Sequence, residues 1–198
     1  MTKTGTTEAP RCHWAAGDDA LMRSYHDTEW GVPLHDDRKL FEFLCLEGAQ
    51  AGLSWRTVLV KRDNYRKAFH QFEIARVAAM TDRELEQCLL DPGIIRNRLK
   101  VASTRSNAMA ALKVIDEFGS LDVYLWSFVD GKPLRNRWAN QADVPASTTL
   151  SDRMSKALKK RGFRFVGTTI CYSLLQATGM INDHLVGCFR QPQLGAGS

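Results

Sequence analysis

The chain has 198 residues, of which 44% are hydrophobic and 25% charged, with a formal net charge of +5. That is enough apolar material for one packed domain, or two small lobes sharing a core, which excludes an intrinsically disordered chain. The basic balance permits a polyanionic partner without requiring one.

Residues 1–10 lack an apolar core, so they are expected to form a loose tail, matched by 191–198, and to be neither signal peptide nor membrane span. Helical periodicity then recurs through 11–190, and no alternating run is long enough for a sheet, so an all-α domain without a membrane partner is expected. A first helix is expected from about Asp19 to His26, with Leu21, Met22 and Tyr25 on one face. After Gly31-Val32-Pro33, Asp36 or Asp37 can cap a second helix carrying Leu40, Phe41, Leu44, Cys45 and Glu47. A break at Gly52-Leu53-Ser54 precedes a third helix, from Trp55 to about Phe69. A short helix follows from Ile74 to Met80, and Thr81-x-x-Glu84 has capping-box spacing for the next, which reaches Leu90. Beyond the turn at Asp91-Pro92-Gly93, Ile94 to Phe118 reads as one long helix ended by Gly119. Leu121 to Phe128 is a short apolar helix. Asn136 to Thr149 is the least periodic stretch and is assigned to loop. Two more helices are expected, Ser151 to Arg161 and Thr168 to Thr178.

The last two helices flank a glycine-bounded hairpin. Lys159, Lys160, Arg161 and Arg164 are cationic, and the backbone N–H groups at Val166, Gly167, Thr168 and Thr169 stand at a helix start. That order suits phosphate, and Gly167 allows close approach. A cationic helix end that merely complements its dipole is an equal alternative at this point.

Five cysteines without a secretory signal suggest a reducing cytoplasm, with Cys45, Cys88 and Cys171 buried. His184-x3-Cys188 has the spacing of two metal ligands one helical turn apart. Cys12 and His26 are the best candidates to complete a four-coordinate site joining the two ends of the chain. Taken singly, each is more readily a buried small residue or a satisfied core histidine.

Tyr25-His26-Asp27-Thr28-Glu29-Trp30-Gly31-Val32-Pro33, the run Cys45 to Trp55, Gly162 to Ser173, and Asn182-Asp183-His184 with Cys188 cover almost the whole chain. Across residues 11–190 it resembles the bacterial 3-methyladenine DNA glycosylase I family, a branch of the helix-hairpin-helix DNA glycosylases. The resemblance implies a fold of two helical lobes and one structural Zn2+ held by Cys12, His26, His184 and Cys188. It implies a base pocket of Glu47, Trp55 and Tyr25, and a wedge of Gly52 and Leu53 that fills the gap left by an extruded nucleotide. The implied reaction is hydrolysis of the N-glycosidic bond of 3-methyladenine in double-stranded DNA, by a cytoplasmic base-excision repair enzyme expected to be a monomer. A zinc-stabilised DNA-binding module without catalysis is the alternative, and four protein ligands disfavour a catalytic zinc.

The sequence departs from the family pattern in three places. Met22 stands where a tyrosine is usual, which removes a hydroxyl and an aromatic face. The Cys12–His26 spacing is one residue longer, with His13 a less suitable ligand. Asn182 occupies the position of the catalytic Asp in other helix-hairpin-helix glycosylases, with Asp183 as a fallback. No lysine matches a Schiff-base nucleophile, so a monofunctional enzyme that leaves the strand intact is expected.

Overall fold

The computed structural model describes residues 9–194, so residues 1–8 of the expected N-terminal tail and 195–198 of the C-terminal one lie outside it. Among the described residues the elements are α1 (Ala20–Thr28), α2 (Asp37–Gln50), α3 (Trp55–Ala68), α4 (Ile74–Ala78), α5 (Asp82–Leu90), α6 (Arg98–Phe118), α7 (Leu121–Trp126), β1 (Leu134–Arg135), α8 (Thr149–Lys160), α9 (Thr168–Ala177), β2 (Ile181–Asn182) and α10 (Arg190–Gln193). The protein is thus mostly helical, as its periodicity implies.

Short polar side chains start most of the helices by accepting the otherwise unpaired N–H groups of the first turn. Asp19 caps α1, Asp36 caps α2 and Ser54 caps α3. Thr81 and Glu84 form a reciprocal capping box at α5. The long helix α6 begins at Arg98, not Ile94, because the Asn97 side chain accepts from Lys100 N while Ile94 is buried in the preceding turn.

Helix α2 is the centre of the molecule. Every residue from Leu40 to Ala49 is buried, and α3, α6, α7 and α9 pack around it. Polar residues at such positions need a reason. Glu42 is answered by Arg66 at 2.7 Å, whereas Glu47 is left for the site described below.

Three expectations are corrected. A two-residue parallel ladder, Leu134 with Ile181 and Arg135 with Asn182, joins the loop after α7 to the C-terminal segment; two residues are too few to leave a period in the sequence. The segment carrying His184 and Cys188 follows the short strand β2 as irregular chain and a turn, with Cys188 N donating to Leu185 O, so these side chains do not share a helix face. The stretch from Gln191 to Leu194 is not a loose tail. Gln191 is buried, and its side-chain oxygen and backbone carbonyl both accept from Arg135, while Phe189 N donates to Pro10 O. No helix among the described residues is long and apolar enough to cross a membrane.

Candidate active site and metal-ligand cluster

A cavity of about 370 Å³ opens between α1, the C-terminal end of α2, α9 and the loop before α8. Its size is in the range of small-molecule sites. Tyr25 and Met22 come from α1, Glu47 and Gln50 from α2, and Trp55 from the start of α3. The three residues of the implied base pocket, and Met22 beside them, therefore line one cavity.

Tyr25 and Trp55 meet at 5.4 Å between ring centroids and are tilted by 43°. They make an aromatic corner, not two parallel plates. Phe43 lies roughly parallel to Trp55 on another side, 6.4 Å away. Glu47 is 3% exposed, and its Oε2 is buried without a hydrogen-bond partner, as is Nε1 of Trp55. Burial pushes the Glu47 carboxyl up to about 8, since a desolvated carboxylate is disfavoured until something compensates its charge. Burial, followed by the carboxylates of Glu47 and Glu29, likewise keeps the Tyr25 hydroxyl protonated. Met22 is half-buried at the cavity wall, in contact range of a ligand but without a hydroxyl to offer.

Asp183, not Asn182, faces this cavity. Asp183 Oδ1 accepts from Asn136 Nδ2 at 2.7 Å and Trp138 Nε1 at 2.9 Å. Oδ2 accepts from Gln176 Nε2 at 2.7 Å and from the Tyr172 hydroxyl. Four donors satisfy both of its oxygens. Asn182 turns the other way, donating to Gln191 O and accepting from His184 N. Several lining residues were not anticipated: Trp14, Trp30, Gln176 and the 141–146 segment. The one available signal was negative. A long connection without periodicity, Asn136 to Thr149, is where binding walls commonly sit.

Cys12, His26, His184 and Cys188 are all buried, and their donor atoms lie within 4.8 Å of one another. Cys188 Sγ is 3.4 Å from His26 Nε2 and 3.5 Å from His184 Nδ1, and Cys12 Sγ is 3.6 Å from His184 Nδ1. The outer ring nitrogens are occupied: His26 Nδ1 by Asp27 at 2.7 Å and His184 Nε2 by the Trp30 carbonyl at 3.1 Å. Those partners aim one nitrogen of each ring inward, as ligating histidines require. Arg11 holds Asp27 in turn, with a contact of 2.8 Å. The two imidazoles that contact Cys188 Sγ favour its thiolate against the cost of burying it. Such a set could hold a metal ion. His13 is exposed and plays no part.

The cluster and the cavity share a wall. Trp14 packs on His26 at 5.2 Å, on Trp30 at 5.1 Å and on Tyr25 at 6.2 Å. Gly31 is pressed against the cluster: with φ +80°, an added Cβ would lie 3.0 Å from His184 Nε2.

Helices α8 and α9 enclose the 161–167 hairpin. The N–H groups of Val166, Gly167, Thr168 and Thr169 donate to no protein acceptor among the described residues. Lys159, Lys160 and Arg164 are exposed. Arg161 is different: Nη2 donates to Glu117 at 3.0 Å and its guanidinium lies over Phe118 and Tyr124, so its side chain is engaged within the protein. Leu53 is 43% exposed in the turn between α2 and α3, beside Gly52 at φ +77°.

The methyladenine glycosylase family profile matches residues 14–191. DNA-3-methyladenine glycosylase 1 of Escherichia coli (strain K12) is 52% identical over 182 residues, covering 92% of this chain and 97% of that protein. A crystal structure of a 3-methyladenine DNA glycosylase I superposes with a TM-score of 0.88 at 54% identity, covering 92% of this chain and 100% of the other. The 3-methyladenine DNA glycosylase I of Staphylococcus aureus, solved for the structural basis of its 3-methyladenine recognition, gives 0.87 at 36% identity over 89% of this chain and 94% of its own.

Proposed function

The chain belongs to the methyladenine glycosylase family, and from that premise we propose that it excises 3-methyladenine from DNA by hydrolysing the N-glycosidic bond. The observation that carries this reading is the unpartnered, buried carboxylate oxygen of Glu47 in an aromatic cavity.

An adenine methylated at N3 and still joined to its sugar is a cation. The aromatic corner of Tyr25 and Trp55 attracts it by about 2 kcal/mol when desolvated. An ionised Glu47 adds a charge-assisted hydrogen bond. Undamaged adenine is neutral and gains little from either, so selection resides in the pocket. The base departs as a neutral molecule, so the glycosidic bond needs little acid assistance. To enter the pocket the nucleotide must leave the stack, and Leu53 with Gly52 would occupy the gap.

Residues 11–190 are read as one glycosylase unit of two helical lobes. Zinc is the metal that fits the cluster. Zinc bonds of about 2.3 Å to sulfur and 2.0–2.1 Å to nitrogen, at the tetrahedral angle, place S and N roughly 3.5 Å apart. The three S–N contacts of 3.4, 3.5 and 3.6 Å match that spacing. Four protein donors leave no open coordination position, so the metal would brace the terminal segments behind Trp14 and Tyr25.

Chromatography of the bases released from methylated duplex DNA tests the function. Release of 3-methyladenine, with strands that stay intact until alkali treatment, is the expected result. Folded, metal-loaded protein that binds DNA and releases nothing would leave only a DNA-binding module.

Two further expectations concern named residues. Asp183→Asn should replace one acceptor oxygen by a donor and destabilise the protein by about 2–3 kcal/mol. Base release by the folded variant should stay within roughly tenfold, because the oxygens of Asp183 are spent on positioning Asn136, Trp138 and Gln176. A fall of 10²–10⁴, the size of a general acid–base contribution, would make it a catalyst. At the hairpin, removing the charges of Lys160 and Arg164 together should weaken duplex binding about equally for all sequences. It should also flatten the slope of log K against log salt by up to about 2, as read by fluorescence anisotropy. An unchanged slope would place the DNA backbone elsewhere.

A further inference from the structure

We propose that α6 carries a positioning stripe, Lys100 and Asn107, that holds the wedge and the phosphate-binding hairpin in register with the base pocket; the inference rests on the functional reading above. Lys100 Nζ donates to Ala49 O at 2.8 Å and Ala51 O at 2.6 Å. These are carbonyls at the C-terminal end of α2, where a cation complements the helix dipole. They lie between Glu47 and Leu53, the pocket carboxylate and the wedge. Leu53 N itself donates to Gln50 O at 2.6 Å. One ammonium group thus braces the backbone that joins the pocket to the wedge.

Asn107 does the same for the hairpin. Its Oδ1 accepts from Arg164 N at 2.7 Å and its Nδ2 donates to Arg164 O at 3.0 Å. The side chain is 2% exposed and spends both ends of its amide on one hairpin residue. Lys100 and Asn107 are seven residues apart, so they stand on one face of α6, about 10 Å apart along its axis. Between them Ser103 and Thr104 return their hydroxyls to Lys100 O, at 2.7 and 3.2 Å. The two braced elements also touch each other: a Cβ added to Gly48 of α2 would lie 3.1 Å from Phe165 Cβ and 3.3 Å from its carbonyl oxygen. Pocket, wedge and hairpin are therefore tied to one rigid 21-residue helix that itself contributes nothing to the cavity lining.

The test compares Lys100→Met, Lys100→Arg, Leu53→Ala and the Lys100→Met/Leu53→Ala double variant. Base release from methylated duplex is measured beside the affinity for free 3-methyladenine. Lys100→Met should lower kcat/KM on duplex about tenfold, because a small displacement of a positioned group has effects of that order or larger, and should leave free-base affinity within twofold. Lys100→Arg should recover most of the loss. The double variant should be no worse than the poorer single one, since both changes act on the same element. Asn107→Ala should raise KM for duplex about tenfold with free-base affinity kept.

Equal losses in duplex release and free-base affinity, or fully additive effects in the double variant, would reduce Lys100 to a structural role and overturn the proposal. An unchanged KM in Asn107→Ala would overturn its half. Should Leu53→Ala alone leave duplex release untouched, the wedge reading itself fails. A damaging Leu53→Ala beside a harmless Lys100→Met removes only the positioning claim.

Discussion

Glu47→Gln is expected to yield a protein that is more stable than the parent and close to inactive on alkylated duplex. Burial pushes the carboxyl up to about 8, from an ordinary value of 4.5. Its folded value lies above the unfolded one, so its stabilising contribution is present below about 4.5 and is lost as pH rises through about 8. Over that window the parent should lose roughly 4–5 kcal/mol of stability through this group, of which roughly 3 kcal/mol is already lost at pH 7. The amide of Gln carries no such penalty. Chemical denaturation of both proteins from pH 4.5 to 8 should show a falling curve for the parent and a flatter, higher one for the variant. Parallel curves would mean that Glu47 is solvated or paired.

The same group sets activity in the opposite sense. A cationic base is best met by an ionised carboxylate, so kcat/KM on methylated duplex should rise with pH to a plateau above about 8, the free-enzyme value. Glu47→Gln should lower kcat/KM by about 10²-fold, the loss of one hydrogen bond to a charged partner together with its Coulombic attraction. It should also abolish that rise with pH. A buried group kept in an unfavourable state until its ligand arrives is a common form of trade between stability and function. An active and pH-sensitive Glu47→Gln would assign recognition to another group.

Loss of the metal cluster should have the second large effect. One zinc per chain is expected by elemental analysis. Cys188→Ala, or prolonged chelation, should lower Tm by more than about 10 °C, because removal of a ligand costs several kcal/mol and each kcal/mol is worth about 2–4 °C in a protein of this size. Base release should fall in step with structure, since Trp14 leans on both His26 and Tyr25, and should return when zinc is restored. Loss of chemistry in a protein whose circular dichroism and Tm are unaltered would instead make the metal part of the reaction.

The reach of the sequence is clearest where interactions are local. Asp19, Asp36, Ser54 and the Thr81–Glu84 box start their helices because a short polar side chain satisfies an N–H two or three residues away whatever surrounds it. The glycine-bounded turn between two helices is legible for the same reason. So is the proposal of Cys12, His26, His184 and Cys188 as one group, since few residue types bind metal and their family pattern spans the chain.

Other features exist only through contacts between distant segments. Asp183, not its neighbour Asn182, lines the cavity because the Asn182 side chain at the end of β2 is engaged by Gln191 and His184, while the chain beyond the strand turns Asp183 toward Asn136, Trp138, Tyr172 and Gln176. The loop from 136 to 148 becomes a wall because Asn136 and Trp138 reach Asp183. His184 and Cys188 converge through a turn, although their spacing fits a helix equally well. Residues 191–194 are ordered by Arg135, which is more than fifty positions away. The sequence by itself determined most of the helices, the grouping of Cys12, His26, His184 and Cys188, and the family. Tertiary structure alone decided which carboxylates are buried, partnered or left open to a ligand, because desolvation and hydrogen-bond satisfaction depend on neighbours that the chain brings together only by folding.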